Sequence, residues 1–360
     1  MISGMDERAA VAEEFVGARA EDFPTSPLYR ALRPVVAEQP EILDMLGHRW
    51  AGQQAPYLFF GAVHYLVLGG AEHPLRDFFA SVVKDAARSP EEAGPALIDF
   101  CDTYRPELNQ LIRTRLVQTN SVRRAVGLRY ALAVIAQSCN QPVHLVEVGA
   151  SAGTLLHVDR YRFRIGARSF GPADAPVAID SDWRGNGPVP DLSIIPAIAS
   201  RTGVDLHPVD VTRPHERAWL RALVWPESFA DAGLLDAALT SLAADPPRLI
   251  AGDGIDVCPD LGRQLPSGEP RVVFHAATRM HVPPDRRAAF DQAIDSMGEH
   301  GPLFHVWLEP GHVPHEGDTA DDRRVLRFHG PGTGGTQPLV QIAGHGQWLA
   351  PVDAELGGGA

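Results

Sequence analysis

Cysteine is scarce in this chain. Cys101, Cys139 and Cys258 lie far apart and form no C-x-x-C pair, so neither a disulfide framework nor a cysteine zinc site is legible. Buried thiols in a reducing cytoplasm are the expectation. Long apolar runs are also missing. Tyr57 to Leu68 is short and interrupted by His64, and nothing reaches the ~20 apolar residues of a membrane span. Residues 1–15 hold Asp6, Glu7, Glu13 and Glu14 without an apolar core, which does not read as a signal peptide. Positive charge is in deficit: the formal net charge is −13. That balance argues against nucleic acid or an anionic membrane as partner and leaves a small molecule. No internal repeat is evident.

What is present is ordinary for a soluble globular protein. The 360 residues are 44% apolar and 21% charged, enough for one large domain or two smaller ones. Residues 1–140 read as a helical N-terminal domain. Leu28, Leu32, Val35 and Val36 recur at helical spacing, as do Ile42, Leu43 and Leu46, and Pro27, Pro40 and Pro74 stand at helix starts. Gly61-Ala62-Val63-His64-Tyr65-Leu66 sets a histidine and a tyrosine in an apolar helix. A core histidine bonded to a neighbour is one reading, and a substrate pocket is the other. Gln118-Thr119-Asn120 offers a helix N-cap, or a polar edge beside a ligand where the chain enters the next domain.

Residues 141–350 read as an α/β, Rossmann-like doubly wound sheet with an antiparallel edge. Its organising stretch is Val143 to Leu156, where an apolar run ends in Glu147-Val148-Gly149-Ala150-Ser151-Ala152-Gly153. This is a buried strand turning tightly into a helix, with backbone N–H groups aimed above the strand. A dinucleotide site wants G-x-G-x-x-G. Here the order is Glu-x-Gly-x-x-x-Gly, and an acid before the first glycine suits a cationic ligand better than a phosphate. Further strands are expected over Gly203–Val211, Arg248–Ala251, Arg271–Ala276, Leu303–Leu308, Val325–Phe328 and Pro338–Ile342. Alternation around Gly166 suggests a hairpin insertion near 162–200, and residues 351–360 read as a disordered tail. Asp210, ahead of an Arg-, Trp- and Leu-rich helix, is expected at the tip of the second strand, where such folds grip ribose hydroxyls. Asp180 competes with it. Asp253 and His275 close the third and fourth strands; Asp253 can equally be a turn aspartate bonding its own loop.

The glycine turn resembles motif I of the class I methyltransferases that use S-adenosylmethionine, with Ser151 in place of the usual central glycine. That resemblance implies S-adenosylmethionine as cofactor, held by Glu147, Gly149, Ser151, Gly153, Asp210, Asp253 and Asn120. The chain as a whole resembles a bacterial family known as domain of unknown function 2332. This likeness spans roughly 25–350 and rests on Gly61–Leu66, His73-Pro74-Leu75, Gln118-Thr119-Asn120, Gly149–Gly153, Asp159-Arg160-Tyr161, Pro208–Val211, Val224–Glu227 and Phe274-His275. It implies a methyltransferase-type sheet behind a helical N-terminal region and supplies no reaction. Ala276-Ala277-Thr278-Arg279 departs from the Ser and aromatic residues that usually follow Phe-His in the family.

The expected function is methyl transfer to a small molecule, in specialised metabolism. His275 is the candidate base, because an unperturbed histidine titrates near neutrality, with His64, Tyr65 and Glu309 as helpers. No Asn-Pro-Pro-Tyr motif is present, which disfavours the nitrogens of adenine or glutamine as acceptors. Three rival readings stand beside it. The same pocket can run an elimination or cyclisation. His312, His315 and Glu316, with Glu309 and Asp318 nearby, can bind metal, although a solvated polar loop explains them better and no metal is expected. The chain can also be a non-catalytic partner in a homodimer or heterodimer.

Overall fold

A computed structural model describes residues 2–17, 23, 25–310 and 323–352. The chain divides into two compact units, one of residues 1–119 with 212–233 and the other of residues 120–211 with 234–360. The tail from 353 onward lies outside the described residues, as do His312, His315, Glu316 and Asp318.

The first unit is helical. It holds α1 (Ile2–Val16), α2 (Pro27–Ala37), α3 (Pro40–Gly47), α4 (Ala55–Leu68), the short α5 (Ala80–Val83), α6 (Ala93–Thr103) and α7 (Arg105–Thr114). Pro27 and Pro40 open α2 and α3, where the missing N–H costs nothing, and the Ser26 hydroxyl accepts from Tyr29 N–H as an N-cap. Pro74 opens only a 3-10 turn. α4 is apolar almost all round and is accordingly the buried centre of the unit. Phe59 and Phe60 meet Phe15 edge-on, and Phe60 stacks on Tyr29.

After α8 (Ala125–Ile135), which belongs to the other unit, α9 (Pro214–Ala222) returns to this one. Trp219 of α9 lies in the same apolar cluster as α4, and a Cβ at Gly61 would come within 2.8 Å of Leu223. The helix expected to cross over the sheet after Asp210 therefore packs on α4. An apolar stripe specifies that a helix buries one face, without saying which core receives it.

The second unit carries an eleven-stranded mixed sheet. Its strands are β1 (Val143–Val148), β2 (Arg162–Ile165), β3 (Arg168–Phe170), β4 (Ala178–Trp183), β5 (Ile198–Asp205), β6 (Arg248–Ala251), β7 (Arg271–Ala276), β8 (Leu303–Pro310), β9 (Arg323–His329), β10 (Gln337–Ala343) and β11 (Trp348–Ala350). They lie in the order β3-β2-β4-β11-β10-β9-β8-β7-β1-β5-β6. The run β6-β5-β1-β7-β8 is parallel throughout, and β9 and β10 follow β8 as an antiparallel meander. The residues read as a hairpin insertion do form the β2–β3 hairpin, and β2 and β4 extend the sheet through parallel pairing of β4 with β11.

α10 (Phe229–Ala244) precedes β6. α11 (Gly254–Gln264) and α12 (Arg287–Ser296) bury one face of the sheet, where Val146, Val148, Val204 and Val273 meet Cys258, Phe290 and Ile294. Leu326 and Ile342, on the other face, meet α8 at Gly127. Among the described residues no helix is long and apolar enough to cross a membrane.

Candidate functional site

After β1 the chain builds β2–β4 at the far edge of the sheet, then lays β5 and β6 on one side of β1 before placing β7 on the other. That reversal is a topological switch point, where open α/β sheets place ligands at the carboxyl ends of their strands. The glycine turn stands there. Gly149, Ser151 and Gly153 take φ of +79°, +49° and +77°. Glycine adopts such angles freely, whereas serine in the left-handed region costs about 1–2 kcal/mol. Three contacts fix Ser151 in that conformation. Its N–H donates to Asp205 Oδ2 (2.7 Å), its carbonyl accepts from Val209 N–H (3.1 Å), and its hydroxyl accepts from Asn120 Nδ2 (3.0 Å). Asn120 thus stands beside the turn.

The element after the turn is a seven-residue 3-10 helix over Thr154–Arg160, broken at His157, not the α-helix that the Leu-Leu pair suggests. Two N–H groups of the turn before it are already engaged. Ser151 N–H is taken by Asp205 and Gly153 N–H by the Ala150 carbonyl.

Two carboxyls lie under this turn on one face of the sheet. Glu147 pairs in register with Gly203, and Asp205 is the next residue of β5 on that face. Glu147 is buried, and its Oε2 has no hydrogen-bond partner among the described residues. Burial pushes its pKa well above the ordinary carboxyl range, and Asp205 pushes it further, against the pull of Arg124. Asp205, which the sequence reading overlooked, is the acid at the tip of the second strand. β5 stops at Asp205, and Asp210 is exposed in the following loop. The alternation Pro208-Val209-Asp210-Val211 imitates a strand, but Val209 is tied back to Ser151 instead. The signal available was Pro208 itself, which removes a ladder donor. Asp180 sits on β4, paired with Arg164 (2.7 Å).

A carboxyl whose pKa is raised by burial has a clear signature. Its folded-state pKa is raised, so stability falls as pH rises from the unfolded value of about 4.3. Glu147→Gln keeps the shape and removes that penalty. The variant is expected to match wild type near pH 4 and to exceed it at pH 8 by on the order of 1–2 kcal/mol. Melting curves across that range check this, and a variant less stable than wild type at pH 8 would contradict it.

Asp253 caps α11, accepting from Ile255 N–H (2.9 Å), and pairs with Arg286 (3.0 Å); it is the turn aspartate of the simpler reading. His64 is buried in the helical unit. Its Nδ1–H donates to the Ala222 carbonyl (2.9 Å), which can only accept, and Nε2 accepts from the Ser81 hydroxyl (2.8 Å). Burial lowers its pKa to about 3, and both ring nitrogens are bonded to neighbours within the core. Tyr65 is half-buried against Trp219 (5.9 Å), with the Arg115 guanidinium 6.0 Å from its ring.

His275 is 1% exposed at the end of β7, with both ring nitrogens engaged. Nδ1–H donates to Glu309 Oε1 (2.8 Å), and Nε2 meets His305 Nε2 at 3.1 Å. Glu309 also accepts from Thr278, Arg279 and Met280 N–H. Thr278 in turn donates its hydroxyl to the Val148 carbonyl (3.1 Å), where a Cβ on Gly149 would collide with it. His275 and Glu309 therefore hold the loop after β7 against the glycine turn.

Among the described residues no group of three or more His, Cys, Asp or Glu is placed to hold a metal ion. Comparison with curated proteins finds no match. The family described as "uncharacterized protein conserved in bacteria" (DUF2332) matches residues 13–350, and the chain belongs to it.

Proposed function

We propose that the protein is a methyltransferase-type enzyme that binds S-adenosylmethionine at the tip of β1 and acts on a small molecule. The observation carrying this reading is the pair of carboxyls, Glu147 and Asp205, under a glycine turn at the switch point. Glu147 Oε2 is buried without a partner, an acceptor that an ammonium or sulfonium would satisfy. The same acids, with the turn's Ser151 and Gly153 N–H groups already spent, disfavour a pyrophosphate.

Glu147 and Asp205 would meet the cofactor's cationic end and its ribose hydroxyls, and Asn120 and Ser151 would shape the edge of the site. Bound there, S-adenosylmethionine supplies an electrophilic methyl group. Leu206 and Met280, exposed after β5 and β7, give the mouth an apolar character suited to an uncharged acceptor. Glu309 and His275 act as positioning residues, keeping Thr278 under Gly149.

Calorimetric titration with S-adenosylmethionine and its demethylated product tests this. Roughly micromolar binding is expected, weakened at least tenfold in Asp205→Ala and in Glu147→Gln. Binding to wild type should release a proton and strengthen as pH rises, because the cation favours the ionised form of Glu147. Absence of binding to folded protein would overturn the proposal. The engaged nitrogens of His275 would then favour a non-catalytic partner role.

A further inference from the structure

A recess lies at the end of the sheet away from the glycine turn, where β5 begins beside the start of β1. It is an open cleft of about 510 Å³, lined by Arg129, Asp159, Phe170, Pro172, Ser193 and Ile195 among others. That volume falls within the range of small-molecule sites. We propose that this cleft binds a small organic carboxylate, with Arg129 as its anchor.

Arg129 projects from α8 and is 3% exposed. Its Nε and Nη2 donate to the Leu192 carbonyl (2.9 and 2.6 Å), and Nη2 also to that of Ser193 (3.0 Å). These bonds, with the Phe163 ring 5.9 Å away, hold the guanidinium rigidly and leave Nη1 without a hydrogen-bond partner among the described residues. No carboxylate there pairs with it. The nearby acids are committed elsewhere: Asp159 Oδ2 accepts from Arg201 (2.6 Å), and Asp191 pairs with Arg168 (3.3 Å).

A desolvated, preoriented guanidinium with an open donor is a strong site for a carboxylate. Burial works against its charge, and Asp159 helps keep it. Phe170, Pro172 and Ile195 offer apolar surface to the rest of the ligand. Asp159 Oδ1, buried without a partner, would favour a ligand that also carries a hydrogen-bond donor. The inference does not depend on the β1 site, since the cleft uses neither the glycine turn nor its acids.

Phenylacetate and phenylacetamide are suitable probes, because they differ only in the charged group. Ligand-observed NMR titration of the full chain is expected to show phenylacetate binding at roughly millimolar Kd, with the amide at least tenfold weaker. Arg129→Met should abolish binding of the acid. Because Arg129 also ties down residues 192 and 193, a second variant, Ile195→Trp, fills the cleft and leaves those bonds intact. It should lose phenylacetate binding with an unchanged melting temperature. Equal binding of acid and amide, unaltered binding to Ile195→Trp, or no binding to wild type would each overturn the assignment.

Discussion

Replacing Arg271 by methionine is expected to destabilise the protein by more than about 3 kcal/mol, the scale for breaking up a buried, hydrogen-bonded charge. Arg271 opens β7 and is fully buried. Among the described residues it has no carboxylate partner. Instead Nη1 donates to the Gly262 and Met297 carbonyls (3.2 and 2.9 Å), and Nη2 to those of Pro266, Glu269 and His300 (3.2, 3.0 and 3.0 Å). Gly262 lies in the last turn of α11, and Met297 and His300 bound the 3-10 turn after α12. These are carbonyls that a helix end leaves without an internal donor, and a cation there also meets the favourable end of the helix dipole. Methionine matches the stem and supplies no donor; the His300 and Pro266 carbonyls keep the Gly268 and Glu269 N–H groups, while those of Gly262, Met297 and Glu269 lose the guanidinium, at about 1–3 kcal/mol for each that stays dry. Arg271→Lys should recover part of the loss, since one ammonium has three donors without the planar fork. Guanidinium denaturation of the three proteins measures the difference. A loss below about 1 kcal/mol in Arg271→Met would mean that water replaces the guanidinium.

The parts of this fold that the sequence made legible are those where the signal is local. Val143–Val148, Arg271–Ala276 and Leu303–Leu308 are apolar runs because central parallel strands are covered on both faces, and each forms a strand of the sheet. The glycine turn was legible for a similar reason: left-handed angles at 149 and 153 demand a residue without Cβ. What was not legible depends on partners distant in sequence. The β4–β11 pairing joins Asp182 to Trp348, and no local pattern encodes it. His275 could be placed at a strand end, but its burial depends on Glu309 and His305, thirty or more residues later. Asp205 and Asp210 are both acids near the end of one apolar segment. Choosing between them required knowing that Val209 bonds to Ser151.

Glu309→Ala should be the other costly substitution, at about 3 kcal/mol or more, because one carboxylate serves four donors. Oε1 accepts from His275 Nδ1–H (2.8 Å), Thr278 N–H (2.9 Å) and Arg279 N–H (2.9 Å), and Oε2 from Met280 N–H (3.2 Å). Truncation leaves a histidine and three backbone groups without their acceptor, just after Ala277 at φ +54°, whose own N–H stays bonded to the Leu308 carbonyl. Burial alone would raise the Glu309 pKa, but the His275 hydrogen bond and charge, with the backbone N–H groups, outweigh it and leave the net value lowered. A depressed folded-state pKa gives stability that is fully present above the unfolded value of about 4.3 and is lost as pH falls through the folded value. The gap between wild type and Glu309→Gln, which keeps one acceptor oxygen and loses the charge, should therefore be wide at pH 7 and narrow toward pH 3. Hydrogen exchange at the Thr278, Arg279 and Met280 amides localises the effect, since these should lose protection before the strand amides of β7 do. If those three amides keep wild-type protection in Glu309→Ala, the loop is held by Thr278 and the Arg279–Asp291 pair. If they lose it while β1 stays protected, the carboxylate is what presses the loop against the glycine turn, and ligand affinity at that turn should fall with it.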